Sequence, residues 1–467
     1  MKLLKNTILI GILMISMTGC TSVNKSPEEL IKDKPIYNEE NKELYENVSK
    51  MIVNGSSLVL PSNSQDVGKI NRVDLDNDGI DEIIAFEKNK NLNTNEYEIG
   101  FLVLNQCSNN QYEEKAKISQ PGESIEYANF YDLDNDGNKE IILAIKDTSK
   151  TQLYIYKFEN GKIQHDLKMA PTWIKNRANL IDMKIEIGYI NDDDILDILM
   201  INYDSKNSQM YASVANFNNI DKCLDLLDYV KFDNVKNVSE LYITLGTVSS
   251  QVKGSTIKGI VLDIPVIKDS SYFTQILYFD NKSLKKAFSD DDKNLMKSYY
   301  IPVEDVNNDK VIDIPILNGS LNENTYTSKS SANISWYRWN GKSGENSRLL
   351  FTIQVYYNYE YNYKLLIPNN LANKIYIEQQ YSSDNTLFKF YYYDNLDSNP
   401  KNLFTIIVSS KAIVDESKNV NLVTQPSGAL KETEKYSFGL VIDDKDELEK
   451  LDITIDILKG YFSLIYE

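Results

Sequence analysis

A single histidine, His165, occurs in the 467 residues, and that scarcity removes whole classes of chemistry. A histidine-dependent triad or a histidine-rich zinc site would have to rest on this one side chain. It sits beside Gln164 and Asp166 in a stretch of outer-strand character and reads as a surface residue. Cysteine is nearly as rare. Of three, Cys20 lies near the N-terminus, which leaves Cys107 and Cys223 in different parts of the chain. A disulfide framework is therefore not expected, and stability has to come from packing and metal. Positive charge is also in deficit, with 50 Lys and Arg against 68 Asp and Glu and a net charge of −18, which argues against nucleic acid as a partner. Neither a P-loop nor a dinucleotide fingerprint is present. The apolar run at residues 8–14 falls short of the roughly 20 residues a spanning helix needs.

What the N-terminus does contain is an export pattern. Lys2 and Lys5 precede the apolar run, and Met17-Thr18-Gly19-Cys20 resembles a bacterial lipobox with Cys20 as the lipidated residue. This implies a signal peptide at residues 1–19 and a mature chain beginning at an acylated Cys20. A polar, flexible tether would follow over residues 20–37, so the protein would be held at the extracellular face of the cytoplasmic membrane. Loss of Lys2 and Lys5 takes the net charge to 48 − 68 = −20.

The most informative feature is an acidic loop that recurs. Asp74-Leu75-Asp76-Asn77-Asp78-Gly79-Ile80-Asp81-Glu82 and Asp132-Leu133-Asp134-Asn135-Asp136-Gly137-Asn138-Lys139-Glu140 both place side-chain oxygens at positions 1, 3, 5 and 9. The backbone carbonyls of Ile80 and Asn138 are available at position 7, and glycine at position 6 permits a sharp turn. An EF-hand would close with a Glu at position 12. Here the acid at 9 opens a β-branched run, so the expected structure is a calcium clasp between two strands. Weaker copies are Tyr189 to Asp197, which keeps Asn191, Asp193 and Asp197 but has Asp194 at the glycine position, and Asp305 to Asp313, which keeps Asp305, Asn307, Asp309 and Asp313 with Lys310 there. Mutual repulsion of the carboxylates ranks the expected calcium sites as first, second, fourth, third.

The copies are spaced as a repeat: 132 − 74 = 58, 189 − 132 = 57, and 305 − 189 = 116, which is twice 58. A hidden unit fits at residues 250–258, a sixth at 366–374 and a seventh near Pro426 ahead of residues 436–442. Within the first unit, residues 70–73, 82–87, 97–104 and 112–118 read as strands separated by turn residues. Four antiparallel strands repeated seven times over residues 57–445 predict an all-β, seven-bladed β-propeller. Amphipathic helices are expected on either side, at 38–55 through Leu44, Val48, Met51 and Ile52, and at 446–467 through Leu458, Tyr461, Phe462 and Ile465.

The loops resemble the FG-GAP (integrin-α-like, VCBS-type) propeller repeat. The resemblance implies that each loop joins the first two strands of a blade and binds calcium through positions 1, 3, 5 and 9. The stretch running through Ser271-Tyr-Phe-Thr-Gln-Ile-Leu-Tyr, Asp305-Val-Asn-Asn-Asp-Lys and Ile334-Ser-Trp-Tyr-Arg-Trp is similar to lipoproteins of clostridia and related Gram-positive bacteria. The function expected is a calcium-stabilised surface lipoprotein that binds an extracellular protein or glycan without catalysis. The alternative is a carbohydrate-active enzyme of polysaccharide lyase type. Trp336-Tyr337-Arg338-Trp339 is a candidate sugar-stacking strand, weighed against burial in a blade core.

Overall fold

The computed structural model of the chain describes residues 39–466 apart from 53–54, 91–95, 108–110, 170–179, 192, 219, 221–222, 251–255, 268–270, 318–330, 383–384, 394–398 and 412–427. The expected signal peptide, Cys20 and the tether lie outside the described residues. Among the described residues no helix is long and apolar enough to cross a membrane.

The protein is mostly β, built from antiparallel sheets of four or five strands. The first sheet contains β1 (Ser56–Leu58), β2 (Ile70–Val73), β3 (Glu82–Lys90), β4 (Tyr97–Gln106) and β5 (Tyr112–Pro121), with β1 and β2 both paired to β3. β2 to β5 start at the expected residues. The second sheet is β6 (Ser124–Tyr131), β7 (Glu140–Lys146), β8 (Thr151–Glu159) and β9 (Lys162–Met169). The third is β10 (Leu180–Gly188), β11 (Asp197–Asp204), β12 (Gln209–Asn218) and β13 (Cys223–Phe232). The fourth has β14 (Tyr242–Ser250), β15 (Thr256–Pro265), β16 (Tyr272–Asp280) and β17 (Ser283–Lys286), with β18 (Met296–Lys297) on β16. The fifth runs β19 (Ile314–Leu317), β20 (Ser331–Trp339), β21 (Leu349–Asn358) and β22 (Tyr363–Ile367). The sixth holds β23 (Ile375–Tyr381), β24 (Asn385–Tyr392), β25 (Lys401–Ser410), β26 (Gly428–Glu432) and β27 (Tyr436–Ile442).

Six sheets, not the expected seven, are formed among the described residues. The strand that was to open a seventh unit, β27, pairs with β25 inside the sixth sheet, so the 58-residue period ends before it. The expected sixth unit is displaced too. β22 stays on β21 in the fifth sheet, and the turn after it carries the chain into the next sheet.

Successive sheets pack face to face in chain order, which explains why their inner strands read as continuous apolar runs. On β3, Ile84 and Phe86 join a core with Ile141, Leu143 and Ile145 of β7, while Ile83 and Ala85 point the other way. Ile142 and Ala144 face Ile198 and Met200 of β11, and Leu199 and Ile201 face the fourth sheet. Burial on both faces removes the need for polar alternation. The edge strand β5 has no buried residue, and its second half alternates between exposed and half-buried positions.

Helix α1 (Glu39–Met51) covers the outward face of the first sheet, seating Leu44 and Val48 against Ile83, Ala85, Leu102 and Leu104. At the other end the expected single helix is two short ones, α2 (Lys445–Lys450) and α3 (Ile455–Tyr461), capped by Asp444 and Thr454. The chain then becomes β28 (Phe462–Leu464), which pairs with β22. Phe462 and Leu458 are buried, whereas Tyr461 is exposed. Among the described residues no core cluster joins the sixth sheet to the first.

Candidate metal centres

The first three acidic loops connect β2 to β3, β6 to β7 and β10 to β11, the place the repeat resemblance implies. The fourth precedes β19 and is closed by an isolated bridge between Glu304 and Asp313. The loops form a row. The Lys139 N–H of the second donates to the Leu75 carbonyl of the first at 2.8 Å, and Asn135 Nδ2 donates to the Asp194 carbonyl of the third at 3.2 Å.

Each well-formed loop turns through two left-handed residues. At position 6, φ is +85° at Gly79, +94° at Gly137 and +68° at Lys310, so the lysine takes the glycine conformation at some cost. At position 4, φ is +56° at Asn77, +56° at Asn135 and +61° at Asn308. Asparagine tolerates this region best after glycine, so its recurrence at position 4 is a sequence signal of the same turn.

The same backbone hydrogen bonds then orient the acids. Position 1 accepts from the N–H of position 6, at 3.1 Å for Asp74, 2.9 Å for Asp132 and 2.7 Å for Asp305. Position 5 accepts from position 7, at 2.8 Å for Asp78, 2.9 Å for Asp136, 3.0 Å for Asp193 and 3.1 Å for Asp309. Position 9 accepts from position 2, at 3.0 Å for Glu82, 2.9 Å for Glu140 and 3.0 Å for Asp197. In the first loop this holds one oxygen each of Asp74, Asp78 and Glu82, whereas both oxygens of Asp132 and of Asp305 accept loop N–H groups, the second from position 5.

In the first loop, Asp74 Oδ1 and Asp76 Oδ1 are buried without a hydrogen-bond partner; in the second and fourth loops one oxygen each, Glu140 Oε1 and Asp313 Oδ2, is so placed, within 3.5 Å of Lys157 Nζ in the case of Glu140. One ligand oxygen from each of Asp74, Asp76 and Asp78 lies within 4.8 Å of the others, and the same holds for Asp132, Asp134 and Asp136. The closing acids go deeper: Glu82 is 1 % exposed, and Glu140, Asp197 and Asp313 are 0 % exposed. Burial, followed by the neighbouring carboxylates, pushes Asp76 upward; burial also raises Glu82, against the Leu75 N–H. Buried, mutually repelling carboxylates with orphaned oxygens are what a hard divalent cation relieves. Asp74, Asp76 and Asp78 could hold a metal ion, and Glu82 stands buried beside them at position 9.

The loops differ in what stands opposite the closing acid on the third strand of the sheet. Lys157 of β8 pairs in register with Glu140, and its Nζ reaches Asp134 Oδ2 at 3.1 Å, Glu140 Oε1 at 3.5 Å and also Asp136. Burial pulls the lysine pKa down, but the carboxylates outweigh it and hold the ammonium form. Burial of Asp136 is likewise outweighed by Lys157, which lowers its pKa. In the fourth loop, Arg338 of β20 contacts Asp309 at 2.6 Å and Asp313 at 3.7 Å. In the third, Asn216 Nδ2 donates to Asp197 Oδ1 at 2.8 Å, and Asn191 Nδ2 approaches the same oxygen at 3.4 Å. In the first, Asn105 stands one register step beyond the Ile83 and Leu104 pair, opposite Glu82, with its Oδ1 buried and unpartnered. Among the described residues no Lys or Arg is paired with the acids of the first loop.

The tryptophans of the candidate sugar-stacking strand resolve against a surface role. Trp336 and Trp339 are 2 % and 0 % exposed and sit in separate cores on opposite faces of β20, so both faces of that strand are interior and neither offers a sugar platform. Tyr189, at position 1 of the third loop, is exposed and carries Lys258 over its ring at 5.3 Å. Cys107 and Cys223 are not joined in a disulfide, and Cys223 Sγ donates to Asp225 Oδ1 at 3.6 Å. His165 lies in β9, at the edge of the second sheet.

No family model matches the chain, and no curated protein matches it either. Among solved structures it is similar to the exotype rhamnogalacturonan lyase YesX, with 11 % identity, a TM-score of 0.29, and coverage of 72 % of this chain and 64 % of the lyase. It is also similar to the complex of fission yeast SREBP-SCAP binding domains, with 11 % identity, a TM-score of 0.27 and 87 % of each chain covered.

Proposed function

We propose that the chain is a lipoprotein, tethered through Cys20 outside the cell, whose six sheets are blades of a propeller-type array of FG-GAP and VCBS character. Calcium in the first acidic loop stabilises the array, which binds an extracellular glycan without chemical turnover. The observation that carries the metal assignment is the first loop: convergent carboxylates, two buried orphan oxygens and no paired cation. Calcium at the millimolar level found outside cells would keep a site of roughly 10⁻⁴ to 10⁻³ M affinity at least about half occupied.

Glycan is favoured over protein by a tyrosine cluster on the fourth sheet. Tyr242 and Tyr300 stack with centroids 3.4 Å apart at 4°, and Tyr272 lies 6.0 Å from Tyr300. Tyr242 is 40 % exposed, and burial raises Tyr300 to about 12, so its hydroxyl stays neutral. Flat, neutral aromatic faces suit sugar rings. Tyr242 opens β14 and Tyr272 opens β16, which puts both at the end of the sheet opposite the loop that follows Ser250. The row of acidic loops and the tyrosines thus occupy opposite ends of the blades. Lys297, near this end, is 4 % exposed and bound to Asp263 at 2.9 Å, so it is not an accessible base of the kind a lyase would use.

The test is a glycan and surface-protein array probed with the calcium-loaded protein, with bound polysaccharides monitored for cleavage. Saturable glycan binding that is lost on Tyr242→Ala, with no product formed, is the expected result. Depolymerisation would replace this function with the lyase alternative, and capture of protein alone would remove the glycan.

A further inference from the structure

Position 9 of all four acidic loops ends in a buried carboxylate, so every loop needs a compensating group, and the protein supplies it differently in each. The charge within the first loop is −5, from Asp74, Asp76, Asp78, Asp81 and Glu82. The second carries Asp132, Asp134, Asp136 and Glu140 against Lys139, for −3, and Lys157 brings it to −2. The fourth carries Asp305, Asp309 and Asp313 against Lys310, for −2, and Arg338 brings it to −1. In the third only Asp193 and Asp197 are acids at ligand positions, and two amides hydrogen-bond Asp197.

Building on the assignment of calcium to the first loop, we propose that the third-strand residue opposite the closing acid selects the cation of each loop. Lys157 and Arg338 are internal counter-ions that fill the second and fourth loops, so those loops take no metal, while Asn105 leaves the first open to calcium. The Lys157 side chain is 8 % exposed and touches three of the four carboxylates that would coordinate an ion. An ammonium and a divalent cation cannot share that position. At about 3 Å the two like charges would repel strongly even at the effective dielectric of a protein surface. Expelling the lysine would instead require moving it out of a buried, triply paired position. Arg338 makes the same kind of contact from the equivalent strand, reaching both Asp309 and Asp313. The loop motif alone, which is strongest in the first and second copies, therefore overstates the number of metals.

The experiment counts calcium ions per chain by isothermal titration and by terbium luminescence on the full mature protein. The wild type should bind one ion, which Asp76→Asn removes and Asp134→Asn does not. Lys157→Asn should raise the count by one, Arg338→Asn should do the same, and Lys157→Arg should leave it unchanged. A wild-type protein that loses a site on Asp134→Asn overturns the proposal without recourse to the lysine variants, whether or not they fold. A folded Lys157→Asn protein with no added site overturns it as well. A wild type that binds nothing, with a Lys157→Asn variant that binds one ion, would sink calcium in the first loop and leave cation selection standing.

Discussion

Asp76 is the side chain on which the first loop turns: its Oδ1 is buried and unpartnered, and burial, followed by Asp78 and Asp74, raises its pKa. Asp76→Asn should abolish the calcium-dependent rise in melting temperature. For a dissociation constant near 10⁻⁴ M at about 2 mM free calcium, that rise corresponds to about 2 kcal/mol. Differential scanning calorimetry with and without a chelator measures it. Glu140 makes a pH prediction. Burial, opposed by the Leu133 N–H, lifts it from the usual carboxylate range to about 7. The folded state then holds a proton that the unfolded state releases near pH 4.5, so this group's contribution to stability falls as pH rises from about 4.5 to 7. In chelated protein, the unfolding free energy from urea titration should decline across that window by an amount on the order of 1–3 kcal/mol, and Glu140→Gln should flatten the slope. Lys297 and Asp263 are a buried pair, 4 % and 2 % exposed, with Thr274 also donating to the aspartate at 2.5 Å. Lys297→Ala should cost about 3–5 kcal/mol by leaving that carboxylate unpaired, and Lys297→Met with Asp263→Asn should recover much of it.

Helix α1 was legible from Leu44, Val48, Met51 and Ile52, whose spacing defines one stripe, and the structure seats that stripe on the first sheet. Val48→Asp should therefore expose Ile83, Ala85, Leu102 and Leu104, and dye binding to apolar surface should rise with little change in far-ultraviolet dichroism. The C-terminal segment misled for a physical reason. Leu458 and Phe462 are four residues apart, as on one helix face, yet the Phe462 N–H bonds back to the Lys459 carbonyl and the backbone turns extended there. Phe462 then packs on Tyr363 and Phe438, with ring centroids 5.3 Å away in each case, and so ties the fifth sheet to the sixth. Phe462→Ala should cost about 3–5 kcal/mol in chemical denaturation, with the sixth sheet losing amide protection first. Such a pairing partner could not be read from period alone, because β22 lies about a hundred residues upstream.

At the scale of the molecule, labelling cells with a radioactive fatty acid should mark the wild-type protein and not Cys20→Ala, which would be released to the medium. Chelation should lower the melting temperature of either form equally, since the anchor and the first loop are separate. The sequence by itself determined the β class, the acidic loops with their strands, and the place of those loops between the first two strands of a sheet. These depend on local chemistry: turn residues, left-handed tolerance, and apolar runs bounded by breakers. Only the tertiary structure decided the number of sheets and the partner of each buried acid. The residue facing the closing acid comes 105 − 82 = 23, 157 − 140 = 17, 216 − 197 = 19 and 338 − 313 = 25 positions later, because the intervening hairpin varies in length. No fixed spacing encodes it. Whether a loop meets an amide, an ammonium or a guanidinium is set by strand register, and register is a property of the assembled sheet.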